Sequence, residues 1–263
     1  MPQATYESRL QELHGIVQDH LGPLLSDPSS AVKRALLTRV GDLCTFFGRL
    51  KANDAVLAHL VTYLNTRDWL LRKAWNEHAP DVASCVGARS LEEYILPLIS
   101  LSLAGELGTN ISTGEPLTDF VHPTDPEEFV VVQVLDTLTT LASRRLLAKV
   151  KIWELVGQTV GFLCHPNIWI REASAAFLAQ VATLLEPTDT WCILYPTVKR
   201  LLRSDVKEIT ALSLLDNARE PIARVVFETA VSWAGKAGKS NFWSLNRAPA
   251  KGAPREAGVR TDE

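Results

Sequence analysis

Cysteine is sparse, with Cys44, Cys85, Cys164 and Cys192 the only four in 263 residues. They lie far apart among apolar neighbours, a pattern that excludes both a disulfide framework and a Cys-x-x-Cys metal site. Buried, reduced thiols in a cytosolic protein are the expectation, and Asn110-Ile111-Ser112 is then an accidental glycosylation sequon. No stretch approaches the roughly 20 apolar residues that span a bilayer. Residues 1–10 are polar and charged, with no apolar segment of a secretory signal. Basic residues are not in excess: the formal charge of −3 and pI near 6.1 exclude a broad nucleic-acid footprint. No run alternates apolar and polar residues as a strand would. Phosphate-binding glycine loops, His-Glu-x-x-His and Gly-x-Ser-x-Gly are all missing.

What is present is helical periodicity, on a composition of 46% hydrophobic and 22% charged residues that suits a folded domain. In 31–47, Val32, Leu36, Val40, Leu43 and Phe47 recur at steps of three or four, which predicts one helix face. Ser26 or Asp27 can cap this helix, Pro28 suits its first turn, and Gly48 ends it. Residues 9–25 carry a comparable stripe, so two antiparallel helices joined by a Ser-Asp-Pro turn are expected. The pattern then recurs. A short polar turn precedes Val32, Leu71, Val130 and Ile170, at steps of 39, 59 and 40 residues. The long step matches a Gly-, Thr- and Pro-containing segment, 105–124, read as a loop inserted in one repeat.

A helix pair about every 40 residues is the period of HEAT and armadillo arrays, whose units bury their apolar faces only by stacking on one another. The chain is therefore expected to be all-α, a HEAT-type solenoid of about five helix pairs over 1–233, with a disordered tail at 234–263. The fifth pair is read at 191–202 and 206–215, followed by a helix at 219–233. Basic Lys33, Arg72 and Arg171 and acidic Asp27 and Asp68 resemble a charge ladder, but Val131 and His165 interrupt it. Pro80 falls inside the stripe of Leu71, Trp75, Val82 and Val86, where a kink or split is expected.

Candidate chemistry is thin. Cys164-His165 places a nucleophile beside a base, but sequence neighbours project differently and Pro166 marks a helix end, so no catalytic dyad is assigned. His122, Asp125, Glu127 and Glu128 read as a solvated helix start whose acids favour the positive end of the dipole, rather than as a metal cluster. Trp69 and Trp169, two of seven tryptophans, occupy what look like equivalent repeat positions and are expected to pack between repeats. The Lys and Arg residues of the tail read as a solvated linker. No catalytic, cofactor-binding or metal-binding residue is assigned, and no cofactor is expected.

Four segments carry a family resemblance: 42–54 (DLCTFFGRLKAND), 65–72 (NTRDWLLR), 162–171 (FLCHPNIWIR) and 219–230 (REPIARVVFETA). Together they resemble the central HEAT region of the regulatory subunit of class III phosphatidylinositol 3-kinase, the protein-kinase-like scaffold of the vacuolar protein sorting complex. The resemblance covers 21–233, without 105–124 or the tail. It implies a larger protein with an N-terminal serine/threonine kinase-like domain and a C-terminal WD-repeat propeller. Such a protein holds the lipid kinase catalytic subunit and a Beclin-type coiled-coil subunit together for autophagy and endosomal or vacuolar sorting. This chain shows no kinase motif, no blade repeat and, with Pro2 after Met1, no myristoylation signal, so it reads as a non-catalytic piece of such a protein. The resemblance implies a cytoplasmic location, touching membrane only through the complex. A generic HEAT adaptor (a phosphatase scaffold or transport receptor) and a fragment of a protein with an active kinase domain are the alternatives.

Overall fold

The computed structural model describes residues 2–104 and 127–239. Among these no strand forms; an isolated bridge joins Leu202 and Ala218. The helices are α1 (Pro2–Leu25), α2 (Ser30–Leu37), α3 (Val40–Ala52), α4 (Trp69–Val86) and α5 (Leu96–Ala104). They continue with α6 (Glu128–Ser143), α7 (Lys149–Thr159), α8 (Ile168–Leu184), α9 (Tyr195–Lys199), α10 (Ala211–Asn217) and α11 (Arg224–Lys239).

One layer is built by α2 with the first half of α3, then α4, α6, α8 and α10, each packed on the next. The other is built by the return segments, including α5 and α7, which also touch each other. The all-α repeat architecture is thus as the periodicity predicts. Leu71, Val130 and Ile170, the aliphatic positions after successive turns, are fully buried between layer neighbours. Each such side chain contributes on the order of 1.5–3 kcal/mol. Val32, their counterpart in the first repeat, is only half-buried.

Polar caps start α4 and α8. Asp68 accepts from the Leu70 N–H at 2.9 Å, and Asn167 accepts from the Trp169 N–H at 2.8 Å. Each satisfies a donor that has no partner within its helix. Two corners between the layers need glycine. Gly48 (φ 72°, ψ 169°) and Gly87 (φ 92°, ψ 169°) adopt a conformation essentially closed to other residues.

The stripe at 31–47 is two helices rather than one. Arg39 leaves helical geometry at φ −118°, ψ 9°, and the break shifts the buried set to Leu37, Val40, Cys44 and Phe47. Pro80 does not split α4, which runs through it. A proline there cannot donate to the carbonyl four residues back, that of Asn76. Thr137 on α6 fills the gap: its hydroxyl lies 2.7 Å from the Asn76 oxygen, in a buried site.

The last pair departs from expectation. Residues 206–210 are not helical, because α10 begins only after Thr210, whose hydroxyl caps the Ser213 N–H at 3.2 Å. The final helix starts at Arg224 rather than Arg219, since Pro221 biases Glu220 toward an extended backbone. That helix continues to Lys239, so the first six residues of the expected tail are helical; 240–263 and the expected loop 105–124 lie outside the described residues. No helix of the described residues is long and apolar enough to cross a membrane.

Candidate protein-interaction surface

The residues with catalytic potential serve the turns. Cys164 is buried, and burial pushes its thiol pKa up, away from a reactive thiolate. His165 is buried beside it, with burial lowering its pKa. Its Nδ1 accepts from the Asn167 N–H at 3.0 Å, and its ring packs edge-on against Phe227 at 4.6 Å. Of the acidic group at the start of α6, His122 and Asp125 lie outside the described residues. Glu128 accepts from the Asn167 side chain and pairs with Arg224, so it ties three chain segments together.

Of the basic residues read as rungs of a ladder, Arg72 and Arg171 bond their own turns, whereas the Lys33 ammonium lies 5.3 Å from the centre of the Tyr63 ring. The Arg72 guanidinium donates to the Thr66 carbonyl at 2.6 Å, and Arg171 donates to the carbonyls of His165 and Pro166 at 2.8 and 3.0 Å. Asp68 caps α4, and Asp27 accepts from the Ser29 N–H at 2.7 Å. These bonds fix the turns that precede α4 and α8 and brace the turn before α2.

Along that edge three aromatic rings line up. Trp69 stacks on Phe129 at 6.0 Å with 24° between planes, and Phe129 stacks on Trp169 at 5.4 Å with 29°. Trp69 packs against the core, whereas Phe129 is 47% exposed and Trp169 52% exposed. Both tryptophans do contact a neighbouring repeat, but their positions are not equivalent. Counting from the caps Asp68 and Asn167, Trp69 is the first helical residue and Trp169 the second. The register mate of Trp169 is Phe129, second after Glu127. The sequence held that signal, since Phe129 immediately precedes Val130 as Trp169 precedes Ile170.

Behind the rings a groove of about 420 Å³ runs between α6 and α8. Phe129, Val132 and Asp136 line one wall, and Trp169, Glu172, Ala173 and Ala176 the other. Spacings of three, four and seven residues keep each set on one helix face for about two turns, or roughly 10 Å. The small Ala173 and Ala176 side chains leave the space open. Asp136 is exposed by surface area, yet crowding by its neighbours raises its pKa, an effect partly offset by Lys73.

The chain beyond α10 returns across the turns as a strap. The Ile222 N–H donates to the Cys164 carbonyl at 2.9 Å, and Arg219 N–H to the Leu201 carbonyl at 2.8 Å. The ion pair with Glu128 then anchors the start of α11 beside Phe129. Val225, Val226 and Trp233 of α11 are exposed.

Comparison with known proteins agrees with this architecture. A family described as PIK3R4-like, middle domain, matches residues 1–107 and 123–231. A non-specific serine/threonine protein kinase of Candida glabrata is 33% identical over 238 residues, 90% of this chain and 15% of that protein. A probable serine/threonine-protein kinase vps15 of Dictyostelium discoideum is 32% identical, over 88% of this chain and 11% of its own length. The serine/threonine-protein kinase VPS15 of Saccharomyces cerevisiae is 33% identical, over 86% of this chain and 14% of its own. The chain thus spans only 11–15% of these relatives. Among solved structures, Cex1p superposes with a TM-score of 0.58 at 15% identity, over 76% of this chain and 34% of that one, a likeness of fold alone.

Proposed function

Because the chain belongs to the PIK3R4-like family, as its middle domain, we propose that it is a non-catalytic scaffold segment of a class III phosphatidylinositol 3-kinase assembly. In that role it holds the lipid kinase catalytic subunit and a Beclin-type coiled-coil subunit together for autophagic and endosomal or vacuolar sorting. Its place is cytoplasmic, peripheral to those membranes through the complex and without direct contact with lipid or nucleic acid. The observation that carries this reading is the half-exposed aromatic edge on an otherwise tightly stacked array. Phe129 and Trp169 leave about half their surface in water, and aromatic residues so placed favour partner contacts. The inert setting of Cys164 and His165 supports a role without chemistry.

The test is co-expression of the tagged chain with the two subunits, followed by affinity capture and an assay for ATP binding. Retention of at least one subunit, with neither nucleotide binding nor phosphate transfer by the chain alone, is expected. Loss of both subunits would overturn the assembly role, and transfer by the purified chain would overturn the non-catalytic one.

A further inference from the structure

The groove between α6 and α8 brings aromatic rings, carboxylates and small side chains together around one space. At one end stand Phe129 and Trp169, half in water and stacked at 5.4 Å. Along its walls stand two carboxylates, Asp136 and Glu172, and no basic side chain lines it. Neither carboxylate has a salt-bridge partner among the described residues, and Lys73 acts on Asp136 only from a distance. The nearby Arg171 is engaged by the turn carbonyls of His165 and Pro166.

We propose that this groove binds an extended, arginine-containing segment of a partner protein, with one guanidinium laid against the exposed Trp169 ring and paired with Glu172, and Asp136 meeting the basic segment two turns further along. Charge complementarity selects the occupant. Two acids beside aromatic rings attract a cation, and a planar guanidinium can stack on a ring while its N–H groups reach a carboxylate. The same acids repel nucleic-acid phosphate. Ala173 and Ala176 leave room for the aliphatic stem and the flanking backbone. Neighbouring atoms limit the hydration of Asp136 and raise its pKa, and a cation held beside the carboxylate offsets that cost as Lys73 does in part. This deepens the scaffold reading by giving a chemical class of partner segment to one surface.

The test is a titration of the full 263-residue chain into a fluorescein-labelled octapeptide of alternating arginine and alanine, followed by anisotropy. Lysine–alanine and glutamine–alanine octapeptides and an oligouridine serve as comparison probes. Saturable one-to-one binding is expected for the arginine peptide, weaker binding for lysine and none for glutamine or RNA. Trp169→Ala should weaken the arginine peptide about fivefold, the size of a partly exposed cation–π contact. Ala176→Trp, which fills the groove, and the pair Asp136→Asn with Glu172→Gln, which keeps shape without charge, should each abolish binding with unchanged circular dichroism. Equal binding of arginine and lysine peptides, indifference to Ala176→Trp, or competition by oligouridine would overturn the proposal. A failed titration with subunit capture intact removes the groove assignment alone. Intact titration with failed capture removes the assembly role alone.

Discussion

The hydroxyl of Thr137 lies 2.7 Å from the carbonyl oxygen of Asn76, the group that Pro80 leaves without its helical donor. The same oxygen of Thr137 is 2.7 Å from the Gln133 carbonyl in its own helix, so one proton serves two acceptors. A defect in one repeat is therefore repaired by the next, and the repair also couples them. Thr137→Val should destabilise the chain by about 1–3 kcal/mol, because it buries an unsatisfied carbonyl. Pro80→Ala restores an N–H to Asn76 and should reduce that penalty in the double variant. Urea unfolding of the four proteins measures the coupling, and additive effects would refute it.

Gly48 and Gly87 separate backbone strain from crowding. Alanine at Gly48 meets open space, so its cost is the strain of the conformation, about 1–3 kcal/mol. Alanine at Gly87 adds a clash, since its Cβ would stand 2.8 Å from the Arg49 guanidinium, which bonds the Val86 carbonyl at 3.2 Å. Thermal melts should rank Gly87→Ala below Gly48→Ala, and Arg49→Ala should narrow the difference.

The tryptophans should differ in stability. Trp69 packs against the core and Trp169 is half in water. Trp→Ala at a fully buried ring costs roughly 3–5 kcal/mol, so Trp169→Ala should fall well short of that and Trp69→Ala should cost more. Equal melting losses would contradict the difference in their packing.

Acid sensitivity should arise in part at His165. Burial lowers its pKa in the folded state, so between that value and the ordinary value near 6.5 the unfolded chain binds more protons. Its contribution to stability is complete above about pH 6.5 and declines as pH falls through the window below. His165→Asn should flatten the stability profile as pH falls below about 6.5. An unchanged slope would place the acid response elsewhere.

Periodicity alone determined the helical class, the repeat starts at Leu71, Val130 and Ile170, and the glycine corner at Gly48, because these follow from local spacing and backbone permission. Asp68 was legible as a turn acid, but its role as a cap depends on the backbone conformation it adopts. The passage of α4 through Pro80 was decided by tertiary structure, through the Thr137 hydroxyl. The delayed starts of α10 and α11 follow instead from local chemistry that the apolar stripe does not weigh, the Thr210 cap and the effect of Pro221 on Glu220. Thr137 repairs Pro80 across a separation of 61 residues from Asn76, which no local pattern records. The groove is the extreme case. Phe129 and Trp169 each advertise an aromatic edge, but only stacking α6 on α8 brings Asp136, Glu172 and two small alanines around one space. Surface chemistry of that kind belongs to the distance between repeats, which packing sets and sequence spacing does not.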